Sequence, residues 1–227
     1  MRTTHGLDRF LTFIDAIVAI AVTLLILPLA DAATEADGTE PLREFLDHQS
    51  SRIGVFLLSF VVIIAFWRAH HRVFERVAGY DSVVVWVTLV WALTIVLLPF
   101  PTQLVVAYPS TNRGVVGIYI GTLLLSSVCL TTLGTHIYRT PALHRDDLDP
   151  ELAATPPLIV PTALMMVSLV LAVAVPAINY RALFLLFLSG PTNRLWLRYW
   201  RQRTVRPVGG AQPAELSGRD GDASHQA

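Results

Sequence analysis

The chain has 227 residues, 53% of them hydrophobic and only 15% charged, where a soluble domain carries about a quarter charged residues. Seventeen basic residues, all of them arginine, balance 17 acids, so net charge gives no hold on nucleic acid or on an anionic surface. The composition excludes an ordinary soluble protein, and a single cysteine, Cys129, excludes an intrachain disulfide.

A spanning helix needs about 20 mostly apolar residues. Six segments are predicted on that criterion, at about 10–29, 52–74, 80–106, 114–138, 157–178 and 182–198. They describe an all-α membrane protein with one transmembrane domain over 1–206. The first contains RFLTFIDAIVAIAVTLLIL, from Arg9 to Leu27. Its charged start, its apolar stretch and ADA at 30–32 imitate a secretory signal, but Asp15 interrupts what should be an uncharged core, so the segment is expected to stay as a span. An acid at membrane depth is costly and requires a partner. Arg9, six residues earlier on the same helix, is poorly placed to be that partner.

Further along the first segment Ile20, Leu24 and Leu27 fall at i, i+4 and i+7, with Thr23 beside them. Such a stripe faces lipid, a neighbouring helix or a pore, and spacing alone does not choose. Pro28 is expected to stop or kink the helix. Residues 30–51 carry six acids and read as an extracytoplasmic loop.

The second segment ends in FWRAHHRVF, which offers Trp67, His70 and His71 as donors toward Asp15. Adjacent histidines lie about 100° apart on a helix and do not share one ligand, so no metal site is expected. The stretch reads either as an interfacial cap with Arg68 and Arg72 snorkelling, or as one histidine turned inward to bond Asp15. The third segment closes on LLPFPTQL, where Pro99 and Pro101 read as a helix terminus. Residues 139–157 form a mixed-charge connector, and 207–227, rich in small and polar residues, are expected to be a disordered cytoplasmic tail.

With a cytoplasmic N-terminus and six spans, 13 of the 17 arginines fall inside and only Arg43, Arg52, Arg113 and Arg181 outside. The positive-inside rule expects that asymmetry, with both termini cytoplasmic. The sequence lacks a phosphate-binding glycine loop, a nucleophile elbow, HExxH and a TVGYG-like filter. It therefore reads as no enzyme, with no cofactor and no carbonyl-lined filter.

Arg9, Phe13 and Asp15 in RFLTFID, followed by AIVAIAVTLLIL, FWRAHHRVF and LLPFPT in that order, resemble the bacterial members of the transmembrane protein 175 family, potassium channels with a Phe-Ser-Asp signature. The resemblance covers about residues 9–102. It implies a homotetramer of six-helix subunits in a bacterial plasma membrane, each first helix lining a central pore permeable to potassium. By the same resemblance Ile20, Leu24 and Leu27, with Thr23, occupy pore positions, and the ring at Ile20 is the constriction. Arg9, Phe13 and Asp15 are then expected to pack near Trp67 and His70 and anchor the pore helix. The departure is Ile14, which stands where the signature has serine and removes a hydrogen bond worth about 0.5–1.5 kcal/mol. Two other readings stay open: a proton-coupled carrier or proton path through Asp15 with His70 or His71, and a non-transporting membrane scaffold.

Overall fold

The computed structural model describes residues 4–36, 38–109 and 112–145, with helical pieces at 162–163 and 166–167. Helix α1 is Thr4–Leu24, α2 Leu27–Glu35, α3 Leu42–Phe74, α4 Ser82–Leu97, α5 Pro99–Ala107 and α6 Arg113–Arg139, followed by a 3-10 turn at Pro141–Leu143. Four stretches among the described residues are long and apolar enough to cross a membrane, His5–Glu35, Leu42–Phe74, Ser82–Ala107 and Arg113–Arg139. They correspond to the first four expected segments. The expected fifth is described only at the four helical residues above, and the sixth and the tail lie outside the described residues.

Proline places two breaks. Pro28 has no N–H and its ring crowds the carbonyl one turn back, so the ladder cannot run through it. The chain leaves α1 at Leu25 and Ile26, whose amides reach Val22 O and Thr23 O at 3.3 Å, and Pro28 then sits in the first turn of α2, where a missing donor does no harm. Pro99 and Pro101 act alike: Leu98 N donates to Ile95 O at 3.2 Å, and α5 resumes with prolines in its first turn. The expected terminus at LLPFP is thus a kink inside one long apolar stretch.

The expected loop at 30–51 is corrected. Helix α2 runs to Glu35 and α3 begins at Leu42, leaving a short link in which Gly38 takes φ 74°, a left-handed conformation that suits glycine. Polar composition suggested a loop, but most of these residues extend spanning helices beyond their apolar centres. Caps fix two other starts: Asp81 accepts the Val84 amide at 2.9 Å before α4, and Asn112 accepts the Gly114 and Val115 amides before α6.

Buried Leu7 of α1, Val73 and Phe74 at the end of α3, Val84 at the start of α4 and Leu133 near the end of α6 form one cluster with Val77 and Leu143. The start of one span therefore meets the end of the next, and the four stretches alternate in direction. Helix α4 packs on α6 and α1, while α5 lies against α3 and α6. The main core joins Ile14, Val18 and Ala21 of α1 and Leu25 just beyond it to Ile63, Trp91 and Ile120.

Candidate pore helix and its anchor

Two stripes, centred roughly 120° apart, run along α1 and on into the start of α2. Ile14, Val18, Ala21 and Leu25 are at most 4% exposed, and they recur at i, i+4, i+7 and i+11, one face of a helix. The second stripe carries Phe13, Ile20 and Leu24 of α1 and Leu27, the first residue of α2, exposed by 56%, 60%, 43% and 54% in the single subunit. Thr23 lies beside them with its hydroxyl donating to Ile20 O at 2.8 Å. That bond occupies the Thr23 proton and leaves the exposed stripe presenting mainly methyl groups.

Ile14 explains itself in this frame. It is fully buried in the main core, so the serine-to-isoleucine departure exchanges a hydroxyl for packed apolar area, at about 25 cal/mol per Å² removed from water or its equivalent. A hydrophobe at that position fits the surface around it.

Asp15 finds its partner on α3. Trp67 donates its indole N–H to Asp15 Oδ1 at 2.9 Å, so of the three donors offered by FWRAHHRVF the tryptophan makes the bond. The histidines take other roles. His71 is exposed and stacks on Trp67 at 5.6 Å, and His70, 2% exposed, lies flat against Trp91 at 4.2 Å and 4° with Phe74 at 4.7 Å. Of the two readings of this stretch, the one with a histidine turned inward to bond Asp15 is not met: His70 does turn inward, but toward α4. Trp67 and His70 are three residues apart, about 60° around the helix, and that offset directs one to α1 and the other to α4.

Phe13 and Asp15 are two residues apart, about 200° around α1, so both cannot face α3. Asp15 does, and Phe13 shares the exposed stripe with Ile20. The expected packing of Phe13 on Trp67 and His70 is not met within the subunit, and Arg9 is likewise exposed.

Three polar junctions between helices lay outside the sequence reading. Ser59 of α3 shares hydrogen bonds with Thr102 of α5 at 3.0 Å and with Tyr119 of α6 at 3.2 Å, while Thr102 donates to Leu98 O at 2.8 Å. A hydroxyl has one proton, so Ser59 donates to Thr102, and Tyr119 donates to Ser59. Thr94 and Ser126 pair between α4 and α6, and His136 Nε2 meets Asp81 Oδ2 at 2.8 Å. Hydroxyls inside apolar runs are the available signal in sequence, but which pairs meet depends on helix rotation.

Residues 9–99 match the family model described as endosomal/lysosomal potassium channel TMEM175. The chain is 29% identical over 134 residues to a mouse protein named endosomal/lysosomal proton channel TMEM175, a match covering 58% of this chain and 25% of that protein. It is 30% identical over 135 residues to a protein of Streptomyces collinus named a potassium channel, covering 58% of this chain and 65% of that one. The chain thus spans about a quarter of the animal relative's length and just under two thirds of the bacterial one's. Its fold matches the crystal structure of a lysosomal potassium-selective channel TMEM175 homolog from Chamaesiphon minutus with a TM-score of 0.54 and 23% identity, covering 87% of this chain and 97% of that one. The region matched by the TMEM175 family model begins at Arg9 and takes in the α1 stripes, the Asp15–Trp67 bond and the first LLPFP proline, so the similarity to that family falls on the candidate pore helix and its anchor.

Proposed function

We propose that the chain is one subunit of a homotetrameric, potassium-selective, leak-type cation channel of a bacterial plasma membrane. Each subunit has six spans with both termini cytoplasmic, and α1 lines the central pore. One observation carries this reading: a second apolar stripe, Phe13, Ile20 and Leu24 of α1 with Leu27 at the start of α2, is exposed among the described residues, on a helix pinned from behind by Asp15 and Trp67. Four copies of Ile20, Leu24 and Leu27 around an axis make stacked apolar rings. A narrow ring of this kind gates by dewetting and penalises the more strongly hydrated ion, so it can favour potassium over sodium without a carbonyl filter. Relatives named as potassium channels support the choice of ion.

Purified protein in potassium-loaded proteoliposomes tests it. Flux above empty vesicles, with potassium preferred over sodium, is expected, and Ile20→Asn is expected to relax that preference by giving the ring a polar group that replaces lost hydration. No flux above the empty-vesicle level would sink the proposal.

A proton-conducting reading has its own support in the names of the animal relatives. Asp15 is a weak relay for it, because its partner is an indole N–H that does not titrate. Proton flux reported by an entrapped pH dye, abolished in Asp15→Asn while potassium flux persists, would favour this second reading.

A further inference from the structure

Helix α1 runs unbroken from Thr4 to Leu24 and holds no proline, and no glycine beyond Gly6, so nothing kinks it between Leu7 and Leu24. Its side chains therefore keep one phase along that length. Phe13 and Ile20 are seven residues apart, which on an α-helix leaves them within about 20° of each other and about 10 Å apart along the axis. Leu24 falls within about 20° of Phe13 on the other side. The direction that Ile20 and Leu24 face is the direction of Phe13 as well.

The anchoring contacts agree with that phase. Trp67 holds Asp15 against α3 at 2.9 Å, and Phe13 stands nearly opposite Asp15 around the helix. Phe10, three residues earlier, stacks on Tyr80 with ring centroids 6.0 Å apart and packs against the main core, whereas Phe13 is 56% exposed. One phenylalanine thus fixes α1 in its subunit, and the other extends the exposed stripe. Between Phe13 and Ile20 the stripe loses bulk, because Ala16 is exposed there and Ile17 is partly buried against the core. One turn before Phe13, Arg9 is exposed about 40° from the same line, so its guanidinium marks where the apolar stripe ends in water.

We propose that Phe13 forms a second apolar ring of the pore, a gate on the N-terminal side of Ile20 that limits the conduction rate while Ile20 sets the ion preference. The proposal rests on the channel reading, in which four copies of α1 surround the axis. Four phenyl rings are then the first apolar constriction met from the N-terminal mouth, and a wider turn at Ala16 separates them from the Ile20 ring. A narrow passage lined by hydrocarbon excludes water, and an ion crosses it only while it is wet. Two such rings in series act separately: wetting at Phe13 limits how often an ion passes, and hydration lost at Ile20 decides which ion.

The test is potassium and sodium flux into proteoliposomes holding full-length protein with Cys129→Ala, which removes the native thiol. Phe13→Ala is expected to raise potassium flux at least about threefold and Phe13→Trp to lower it about as much, with the potassium-over-sodium ratio kept within about a factor of two. A positively charged methanethiosulfonate should cut flux through Phe13→Cys and through Ile20→Cys, and spare Ser50→Cys, an exposed position on α3. Copper-phenanthroline oxidation of Phe13→Cys should link subunits into disulfide dimers, a readout that needs no flux. Elution volumes matching the parent separate a pore effect from misassembly. If the reagent stops Ile20→Cys while Phe13→Cys is neither modified nor cross-linked, the gate is overturned and the channel reading stands. A Phe13→Ala protein with altered ion preference and an unchanged rate also overturns the gate, and absence of flux in the parent overturns both.

Discussion

His136 Nε2 lies 2.8 Å from Asp81 Oδ2, while Asp81 Oδ1 accepts the Val84 amide at 2.9 Å. One carboxylate thus caps α4 and ties it to the last turn of α6, at the end of the subunit where the link 75–81 meets the 3-10 turn through Ala78 N donating to Leu143 O at 3.0 Å.

Removing that carboxylate should loosen this end of the bundle. Asp81→Ala is expected to cost about 1 kcal/mol through the lost cap, and Asp81→Asn less, because an amide oxygen still accepts from Val84. Burial pushes the Asp81 carboxyl up, but the Val84 amide and His136 outweigh it and hold its pKa below the ordinary 3.8. A carboxyl depressed on folding adds stability that is present above its unfolded value and is lost as pH falls through the lower folded value. Thermal unfolding in detergent should therefore show the wild type losing its advantage over Asp81→Asn as pH drops below about 4. An unchanged gap between the two at pH 7 and pH 3 would contradict this.

The bond from Trp67 to Asp15 should act as a unit. Trp67→Phe and Asp15→Asn are each expected to lower unfolding free energy by about 1–2 kcal/mol, with a coupling of about 1 kcal/mol in the double-mutant cycle. His71→Ala, which removes only the stack on Trp67, should cost less than either. Strict additivity of the Trp67 and Asp15 changes, measured by denaturant unfolding in mixed micelles, would show that the bond does not hold α1 to α3.

The proton order in the hydroxyl junction predicts an unequal pair of mutants. Tyr119→Phe removes the donor to Ser59 and leaves the Ser59–Thr102 bond in place, and is expected to cost about 0.5–1 kcal/mol. Ser59→Ala breaks both bonds at once in a buried place, and should cost more, about 1–3 kcal/mol. Reversal of that ranking in unfolding experiments would refute the assigned direction of donation.

His70 is a packing residue in this structure. Its ring lies flat on Trp91, and its Nε2 makes no hydrogen bond among the described residues. His70→Phe keeps a flat ring and removes a buried polar atom, so stability should stay level or rise by about 1 kcal/mol, whereas His70→Ala opens a cavity and should cost about 3 kcal/mol. A His70→Phe protein as unstable as His70→Ala would mean that the imidazole nitrogen has a partner that matters.

Local features of the chain settled much of this architecture. Apolar stretches of spanning length at the four described helices and the need of Asp15 for a donor follow from a solvent that cannot satisfy backbone or charge, and the breaks near Pro28 and Pro99 follow from proline's missing N–H and its ring. The i, i+4, i+7 spacing put Ile20, Leu24 and Leu27 on one stripe, and the ordered motifs from Arg9 to Thr102 pointed to the family. What spacing could not supply was rotation about each helix axis, which is set by contacts with neighbours distant in sequence. Only the folded subunit decided that Trp67 rather than a histidine reaches Asp15, that His70 turns to Trp91, that Ile14 belongs to the core, and that Phe13 lies on the uncovered stripe. Composition also misread 30–51, because polar residues that end a spanning helix in water stay helical when the ladder of α3 continues through them.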